Sequence, residues 1–504
     1  MMDYKTYDET NPLSIEEYAQ RLIGSTFREV LSSKNANEVR EDDITEYYQN
    51  KSRKGGLGNL LEEEYFGYKA NSVSEADFPK AGVELKVTPF EKNKKGEYRA
   101  GERLVLGMIS YEKPVEASLE ESHIWNKCRL LLIIYYLRNK RIISNLDYEI
   151  CFANLFTPPE EDLIIIKNDY KLIVEKIKAR KAHELSESDT MYLGACTKGI
   201  TAEKSMVPQF YGDHIKARKR AFCYKVSYMT YVLNNYIIPG VKTFNRKESI
   251  QNHDFETKRY EAIIKNIEEL RTSTFEQIVE EKINKWIGKT DKELCSIFNR
   301  DYNNNKAQWI DLSYRMLGIK TNRAGEFAKA NISVKAIRIE ENGKMRENSP
   351  LPPFKFLDLM DEKWEESVLF SYFEEKRFLF VVFKKQGKEY VLKGCQMWNM
   401  PHDDLNETVH EGWNSIRNTL HKGVVLNKKG NVIENNFPKK KDNRIIHIRP
   451  HASRSYYVFE DGSTFGSGNI SDSDLLPDGR RMTKQSFWLN NDYVISQLKP
   501  ELIK

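Results

Sequence analysis

The sequence has few cysteines, and no two of them stand at the spacing of a metal-binding or redox motif. The six are Cys128, Cys151, Cys196, Cys223, Cys295 and Cys395. Cysteines scattered in this way exclude both a disulfide framework and a cysteine-based zinc site. We therefore expect the protein to work in a reducing cytoplasm.

Long apolar runs are also missing. The longest, LLLIIYYL at Leu130–Leu137, is too short to cross a bilayer and is typical of a buried strand. The N-terminal stretch MMDYKTYDETNPLS has no apolar segment of the kind that secretory signals carry. We expect a soluble protein without a membrane partner.

Phosphate-binding glycine motifs do not occur either. No GxxxxGK[ST] or GxGxxG sequence lies in a strand–turn–helix setting, which gives no support to an ATPase or a dinucleotide enzyme. The formal net charge of +5 and the pI of about 8.5 permit a nucleic-acid partner without requiring one. With 504 residues, of which 40% are hydrophobic, the chain is long enough for two or three domains.

One pattern occurs twice. DFPKAGVELKVTP at Asp77–Pro89 is echoed by EFAKANISVKAIR at Glu326–Arg338. Four further echoes follow the same order, all offset by about 250 to 265 residues, which indicates an internal duplication. We predict two α/β lobes with mixed sheets flanked by helices, residues 1–241 and 272–504, joined by a partly helical linker over 242–271.

The first copy of the pattern carries acids beside a lysine. In GVELKVTPF, apolar residues alternate with polar ones, which predicts a half-buried strand with Glu84 and Lys86 on its polar face. Pro79 keeps the preceding segment out of a helix, so Asp77 can fold back beside Glu84. Two carboxylates beside an ammonium suit Mg²⁺-dependent phosphodiester hydrolysis. The alternative is a chance match, because acid-x-Lys triplets also occur elsewhere in this chain.

At this point a family resemblance is evident. DFPKAGVELKVTP resembles the core of the MutH-type endonucleases, a branch of the PD-(D/E)xK nucleases. KGGLGNLLEEEYFG at 54–67 is similar to their Lys-Gly-x-x-Gly-x-x-x-Glu helix, and HELSESDTMYLGACTKGITA at 183–202 to their DNA-reading loop. With two full lobes, the chain looks closest to restriction endonucleases that cleave at GATC.

The resemblance implies roles for five residues. Asp77 and Glu84 are expected to be metal ligands and Lys86 the catalytic lysine. Glu62 is expected to assist at the metal or the water, with a plain helix charge as the alternative. Lys127, in WNKC, is expected to contact the scissile phosphate, with a solvated lysine as the alternative.

The resemblance also implies a reading loop. Lys198, with Thr197 and Gly199, matches the base-reading lysine, which can donate to guanine in the major groove. The family pattern has Arg-Pro before this lysine, where this chain has Cys196-Thr197. An ordinary loop lysine is the alternative interpretation.

Further DNA contacts are expected on both copies. KARKRAF at 216–222 places Lys216 and Arg218 in a basic cluster suited to phosphate contacts, with a solvated helix end as the alternative. In the second copy, HIRPHASRS has the Arg-Pro of the family, with Arg449 able to read guanine and His451 at the lysine position.

The second copy has lost most of the catalytic pattern. Glu326 replaces the first acid, Ser333 replaces the second, and Lys335 is kept; Ser313 and Glu375 fall opposite Glu62 and Lys127. A single acid with a serine is a poor Mg²⁺ site. We expect an inactive lobe that binds DNA and controls cleavage as an allosteric effector domain, or one that only completes the fold.

The sequence thus predicts a Mg²⁺-dependent type II restriction endonuclease of a bacterial cytoplasm. It would cut double-stranded DNA before the G of GATC, leave 5′-phosphate ends, bind two GATC sites at once and dimerise on DNA beside a cognate methyltransferase. The alternatives are a MutH-type mismatch-repair nicking enzyme and a non-catalytic, sequence-specific DNA-binding protein.

Overall fold

The chain folds into two compact units. The structure is a computed structural model that describes residues 7–34, 56–68, 75–93, 96–139, 141–199, 203–212, 215–244 and 260–504. The first unit comprises 1–274 together with 323–331, and the second comprises 275–322 together with 332–504. Residues 245–259 of the predicted linker lie outside the described ranges.

The described elements are numbered here in chain order. The helices are α1 (Pro12–Gln20), α2 (Phe27–Lys34), α3 (Gly56–Leu60), α4 (His123–Cys128), α5 (Glu160–Lys178), α6 (Val226–Val232), α7 (Ile267–Thr272), α8 (Phe275–Asn284), α9 (Asp291–Ile297), α10 (Ala307–Met316), α11 (Gly325–Ala330), α12 (Phe356–Asp361), α13 (Val368–Glu375), α14 (His402–Asp404), α15 (His410–Lys422), α16 (Asn491–Ser496) and α17 (Pro500–Ile503). A π-helical turn, Leu61–Tyr65, directly continues α3.

The strands follow the same scheme. They are β1 (Glu84–Lys92), β2 (Tyr98–Ala100), β3 (Leu104–Met108), β4 (Leu131–Leu137), β5 (Glu149–Phe156), β6 (Leu193–Thr197), β7 (Met206–Val207), β8 (Ala217–Arg218), β9 (Arg220–Tyr224), β10 (Ile332–Ile339), β11 (Ser349–Phe354), β12 (Arg377–Gln386), β13 (Glu389–Trp398), β14 (Leu426–Lys429), β15 (Val432–Asn435), β16 (Ile446–Pro450), β17 (Tyr457–Val458), β18 (Thr464–Phe465), β19 (Ser473–Leu475), β20 (Arg481–Thr483) and β21 (Gln485–Leu489). None of the helices in the described ranges combines the length and apolarity needed to span a bilayer.

A mixed sheet of order β2-β1-β4-β5 forms the centre of the first unit. β1 and β4 are parallel, with Glu84 opposite Leu131, and β5 is antiparallel to β4. The apolar run predicted as a strand is β4, and its first five residues are buried because strands cover it on both sides. The side chains of α1 and α2 complete the core on one face.

A second sheet, of order β3-β9-β6, stands beside it and is antiparallel throughout. The buried helix α5 holds the start of β6, because the Asp169 carboxylate accepts hydrogen bonds from the backbone amides of Met191, Tyr192 and Leu193 at 2.7, 2.7 and 2.9 Å. Three amide donors stabilise a buried carboxylate that burial alone would disfavour. The strand that leads to Lys198 is therefore firmly anchored.

The second unit repeats both sheets. Its order β10-β12-β13 reproduces β1-β4-β5, again with a parallel pair followed by an antiparallel one. Its order β11-β21-β16 reproduces β3-β9-β6. The prediction of two similar α/β lobes with mixed sheets is confirmed. The hairpin β14–β15 and the small sheet β18-β17-β20-β19 complete the strands of this unit.

One helix of the repeated pattern lies in the first unit although it comes late in the chain. α11 contributes Lys329, which is 7% exposed and whose Nζ lies 2.5 Å from the Asp162 carboxylate on α5, itself 1% exposed. The Lys329 ammonium also stands 4.6 Å from the ring centroid of Tyr231. The Lys329 backbone carbonyl accepts a hydrogen bond from the Ser227 hydroxyl at 2.8 Å. A buried ion pair thus fixes α11 to α5 and α6.

Replacing Lys329 by Met is expected to lower the free energy of unfolding by about 3 to 5 kcal/mol, because the Asp162 carboxylate would remain buried without its cation. Urea unfolding followed by circular dichroism measures the change. Lys171→Met is the matched control: Lys171 also lies on α5, but its pair with Glu175 is exposed, and the expected change is within about 0.5 kcal/mol. Equal effects for both variants would contradict a stabilising role for the buried pair.

Candidate active site

A tight turn places the two predicted acids next to each other. Phe78 and Val83 exchange backbone hydrogen bonds of 2.9 and 3.2 Å, and Gly82 takes a left-handed φ of +65° within this turn. Asp77 is thereby folded back onto the start of β1. Its amide lies 3.3 Å from the Glu84 carboxylate, and its own carboxylate accepts the Leu85 amide at 2.9 Å. The structure brings Asp77 and Glu84 together as the sequence predicted.

Two lysines meet the Glu84 carboxylate. Lys86, two residues along β1, places its Nζ 2.7 Å from Glu84 Oε1. Lys127, near the end of α4, places its Nζ 3.4 Å from the same oxygen. Lys127 can reach it because α4 leads directly into β4, the parallel neighbour of β1. The resulting cluster contains the acids and lysines that the sequence assigned to the site.

The polar face of β1 is more deeply covered than its alternation indicated. Glu84 is 2% exposed and Thr88 3% exposed, so the prediction of a half-buried strand was wrong at these two positions of its polar face. The reason is that β1 is an inner strand of its sheet. The Asp77 amide and the side chains of Lys86 and Lys127 also surround the Glu84 carboxylate. The acids therefore lie in a medium where charge is costly.

The electrostatics of the cluster follow from this burial. Burial, together with repulsion from Glu84, raises the pKa of Asp77 to about 7. Burial and repulsion from Glu84 also raise the pKa of Glu62, on the π-turn after α3, which places Glu62 beside the other acids. Burial opposes the charged form of Lys86, but its neighbours Cys128, Glu84 and Asp77 together outweigh burial and raise the pKa of this lysine. Lys86 is thus a cation.

The donor set fits a divalent metal. Two adjacent carboxylates each disfavour the ionised form of the other. A cation placed between them stabilises both negative charges. In the ranges the structure describes, no three His, Cys, Asp or Glu side chains form a ready-made metal cluster. Asp77 and Glu84, which lie against each other at the start of β1, are the residues that would hold the ion.

Tyr68 is a site neighbour that the sequence analysis did not identify. Its hydroxyl is buried and has no hydrogen-bond partner among the described residues. Burial and the nearby charges of Asp77, Glu62 and Glu84 raise its pKa far above the ordinary value, so it stays a neutral donor. A buried donor without a partner fits a site that receives further oxygen ligands. Tyr68 directly follows the segment KGGLGNLLEEEYFG at 54–67, and nothing in that segment predicts that the Tyr68 hydroxyl lies near the site.

The predicted reading loop starts at the end of β6. Thr197 is the last residue of β6 and pairs with Arg220, and the Lys198 amide donates to the Lys219 carbonyl at 2.8 Å. Gly199 has a φ of +109°, and a Cβ there would lie 2.7 Å from the Cβ of Ser205. Only glycine fits this position, which keeps the backbone beside Lys198 compact.

The predicted phosphate contacts lie on or next to a separate two-stranded sheet, β7-β8. Lys216 is exposed, and Arg218 is half-buried in β8, which pairs with β7. This segment is strand rather than the end of a helix, so the helix-end alternative was wrong. Arg220, next in the basic run, is 4% exposed and donates to the Ala195 carbonyl at 2.6 Å, so it supports the fold.

The second unit has a matching loop at the end of β16. The His451 amide donates to the Lys484 carbonyl at 2.7 Å, which reproduces the backbone contact of Lys198. Arg449 is exposed on β16, and its guanidinium carbon stands 5.2 Å from the ring centroid of Trp488. The stacked ring restrains the guanidinium while its donors remain exposed.

The catalytic corner of the second copy has a different shape. Ala328 stands where the first copy has Pro79, and the chain forms helix α11 there instead of a turn. The Glu326 carboxylate accepts the backbone amides of Ile263 and Ile264 at 2.9 to 3.1 Å. The acid that corresponds to Asp77 therefore serves a structural purpose.

Two other comparisons between the copies depend on register. β12 is paired with β10 so that Phe378 lies opposite Ser333, and this register places the buried Glu374, rather than Glu375, at the position of Lys127. The alignment made from sequence was off by one residue there. Ser313 is buried within α10, and its hydroxyl donates to the Trp309 carbonyl at 2.7 Å.

Together, the fold and the site define a MutH-like nuclease. The defining features are the mixed sheet, the turn that returns Asp77 to Glu84, and Lys86 two residues further on the same strand. Two carboxylates with a lysine beside them suit metal-assisted hydrolysis of a phosphodiester. A family model described as the DNA mismatch repair enzyme MutH matches residues 66–169.

The comparison with curated proteins extends the match over both units. The chain is 34% identical over 482 residues to the type II restriction enzyme Sau3AI of Staphylococcus aureus, covering 89% of this chain and 93% of that enzyme. It is 26% identical to the DNA mismatch repair protein MutH of Vibrio campbellii, covering 44% of this chain and 92% of that protein. The chain belongs to the MutH-like type II restriction endonucleases and is a site-specific deoxyribonuclease. Enzymes of this family generally depend on a divalent metal.

Replacing Glu84 by Gln is expected to lower the rate of DNA cleavage by about a thousandfold or more, because one of the two metal-ligand charges is lost while the shape is kept. A plasmid cleavage assay measures the rate, and a gel-shift assay checks that DNA binding persists. Glu64→Gln, on the same π-turn as Glu62, is the control and should cleave like the parent. Unchanged cleavage by the Glu84 variant would remove the proposed site.

Proposed function

We propose that the protein cuts double-stranded DNA before the G of GATC and leaves 5′-phosphate and 3′-hydroxyl ends. The observation that carries this proposal is the cluster of Asp77, Glu84 and Lys86 on β1, in a chain that matches a type II restriction enzyme across both of its units. A bacterial cytoplasm and a cognate DNA methyltransferase are the proposed context. The protein would meet its DNA there without a membrane partner.

The proposed cofactor is Mg²⁺, held by Asp77 and Glu84. When bound, Mg²⁺ would activate a water and neutralise charge on the scissile phosphate. Lys86, which carries its proton, orients the attacking water and offsets phosphate charge. Lys127 reaches the same point from α4 and contacts the phosphate, and Glu62 assists at the water.

DNA reading is assigned to the end of the sheet β3-β9-β6. Lys198 donates to a guanine in the major groove, with Thr197 and Gly199 shaping the loop around it. Lys216 and Arg218 contact phosphates, which set the register of the DNA without reading its sequence. The compact backbone at Gly199 supports this assignment, because it lets the loop approach a base edge closely.

The second unit is proposed to be inactive in catalysis and to bind a second GATC site as an allosteric effector domain. Loss of catalysis is supported by Ser333 and by the structural use of Glu326. DNA binding is supported by the loop that carries Arg449 and His451. Because each chain has one active site for one strand, two chains would meet on DNA to break both strands.

A plasmid with a single GATC, incubated with Mg²⁺ or with EDTA, tests the main proposal. We expect linear DNA with Mg²⁺ only, and sequencing should map 5′-phosphate ends before the G. Accumulation of open circles would favour the alternative of a MutH-type nicking enzyme. Intact DNA despite selective binding would favour a non-catalytic binding protein and contradict the proposed site.

The second unit is tested by Arg449→Ala. We expect binding of a second GATC duplex to weaken by about 1 to 3 kcal/mol, because a guanine would lose its bidentate donor. Titration of labelled duplex onto the Glu84→Gln protein, with one equivalent already bound, measures this. Arg444→Ala, an exposed arginine paired with Asp404 on the same unit, is the control. Equal binding by the Arg449 variant and the parent would contradict the assignment of base reading to Arg449.

A further inference from the structure

The two reading loops differ in the strand that leads to them. Arg449 lies opposite Ser486 in the second unit, and the pair at the matching register of the first unit is Cys196 with Ala221. The sequence of β6, LGACT, contains no basic residue. The strand before Lys198 therefore lacks the guanidinium that β16 supplies in the second unit.

The neighbouring side chains on this face of the first unit are small as well. By the same register, Gly194 and Cys223 stand where the second unit has His447 and Trp488. A Cβ at Gly194 would lie 3.3 Å from Glu187 Cγ, which is tighter than an ordinary van der Waals contact. Glu187 thus lies in the space that the small residues leave open.

Glu187 is fully buried in this place and holds an arginine. It begins the 3-10 turn Glu187–Asp189, which precedes β6, and it is 0% exposed. Its Oε1 accepts a hydrogen bond from Nη1 of Arg103, the residue directly before β3. The Arg103 side chain remains 31% exposed. The carboxylate thus fixes one end of a guanidinium that still reaches solvent.

Arg103 lies on the same face of the sheet as Lys198. Val105, two residues after Arg103, packs against Cys196 and Cys223. Side chains two residues apart point to the same face of a strand, so Arg103 shares the face of Val105. Lys198 shares it too, because its amide continues the ladder two residues after Cys196. The outer strand β3 therefore brings an arginine to the face on which the reading lysine stands.

The internal repeat shows that the arginine has changed strand between the copies. Leu104 and Ser349 begin β3 and β11 at matching register, so Asn348 takes the position of Arg103 in the second unit. The second unit has its arginine on β16 instead, as Arg449. Each copy thus has an arginine at one of these two positions and an uncharged residue at the other.

The pair of Arg103 and Glu187 has the features of an oriented donor. The Glu187 Oε2 atom is buried and has no hydrogen-bond partner within the part of the chain that the structure describes. A carboxylate buried for stability alone is expected to have both oxygens paired, because an unpaired buried oxygen is costly. Fixing the guanidinium in one direction accounts for a carboxylate at this position.

A guanidinium with a fixed direction suits a base edge better than a phosphate. Guanine presents O6 and N7 side by side in the major groove, and reading both requires two parallel donors in a defined direction. The planar guanidinium supplies such donors. A phosphate can be contacted by a flexible lysine, which needs no buried carboxylate to orient it.

We propose that Arg103 is a second base-reading residue of the first unit and donates to a guanine of GATC from a direction fixed by Glu187. The proposal rests on the proposed function, in which Lys198 reads a guanine of the same site. GATC has one guanine on each strand, so Lys198 and Arg103 can each serve one of them. Glu187 is a positioning residue, since it acts on the DNA through Arg103.

The first test measures discrimination between sequences. Arg103→Ala and Arg103→Lys are made in the full-length protein that carries Glu84→Gln and Arg449→Ala, so that binding without cleavage reports on the first unit. Affinities are measured for a GATC duplex and for an otherwise identical AATT duplex. We expect the ratio of the two affinities to fall about ten- to hundredfold in both variants, because neither side chain offers two parallel donors.

Two further variants serve as comparisons. Arg28→Ala removes an arginine of α2 that also pairs with a carboxylate, Asp147 at 2.6 Å, and should leave the ratio unchanged. Glu187→Gln keeps Arg103 but removes the charge that orients it, and should lower the ratio by less than Arg103→Ala does. Circular dichroism checks that each variant is folded. Arg103→Lys can still pair with Glu187 and tests the proposal even if Arg103→Ala does not fold.

The second test removes the acceptor instead of the donor. A duplex with 7-deazaguanine at both guanines of GATC lacks the two N7 atoms and keeps the O6 atoms. We expect this change to weaken binding by the protein with Arg103 by about tenfold or more, and by a clearly smaller factor in Arg103→Ala. Such coupling between one side chain and one base atom arises from a direct contact, and a general loss of stability or charge does not produce it.

The outcomes separate this inference from the function on which it rests. If Lys198→Ala lowers the ratio while neither Arg103 variant does, the role of Arg103 is wrong and the proposed target stands. If the protein with both residues intact binds GATC and AATT equally, both are wrong. If Arg103→Lys discriminates as well as the protein with Arg103, a positive charge alone is sufficient there, and the assignment of base reading is overturned.

Discussion

Two carboxylates held next to each other in a poorly hydrated place are the feature on which the active unit depends. The turn between Phe78 and Val83 forces Asp77 against Glu84. Burial there, together with repulsion from Glu84, raises the pKa of Asp77 to about 7. The neighbouring lysines, Lys86 and Lys127, partly balance the charge. The parallel pairing of β1 with β4 brings these groups to one point, where two oxygen ligands and two cations stand together.

The two copies share one arrangement of strands but use the first acid of the repeated pattern differently. A proline at 79 prevents a helix and returns an acid to the strand, whereas Ala328 permits α11 and directs Glu326 to backbone amides. The same helix places Lys329 in a buried pair with Asp162. The use of the Glu326 carboxylate by backbone amides and the place of α11 in the first unit are therefore consequences of the same short segment.

Much of the site could be predicted because its signals are local. The run at 130–137 contains only apolar and aromatic residues, and it is β4; the spacing of Asp77, Pro79 and Glu84 encodes the returning turn. Features that depend on packing between distant segments were missed, or were assigned to a neighbouring residue. The burial of Thr88 depends on neighbouring strands, the Tyr68 hydroxyl depends on how α3 continues, and the one-residue shift opposite Lys127 depends on sheet register.

The sequence by itself determined the duplication, the α/β class, and the presence of an acid–acid–lysine pattern in one copy and its loss in the other. These features follow from residue type and spacing, which the chain carries without folding. Only the tertiary structure decided which groups share one low-dielectric place. It brought Lys127 to Glu84, because the pairing of parallel strands joins segments more than forty residues apart in the chain.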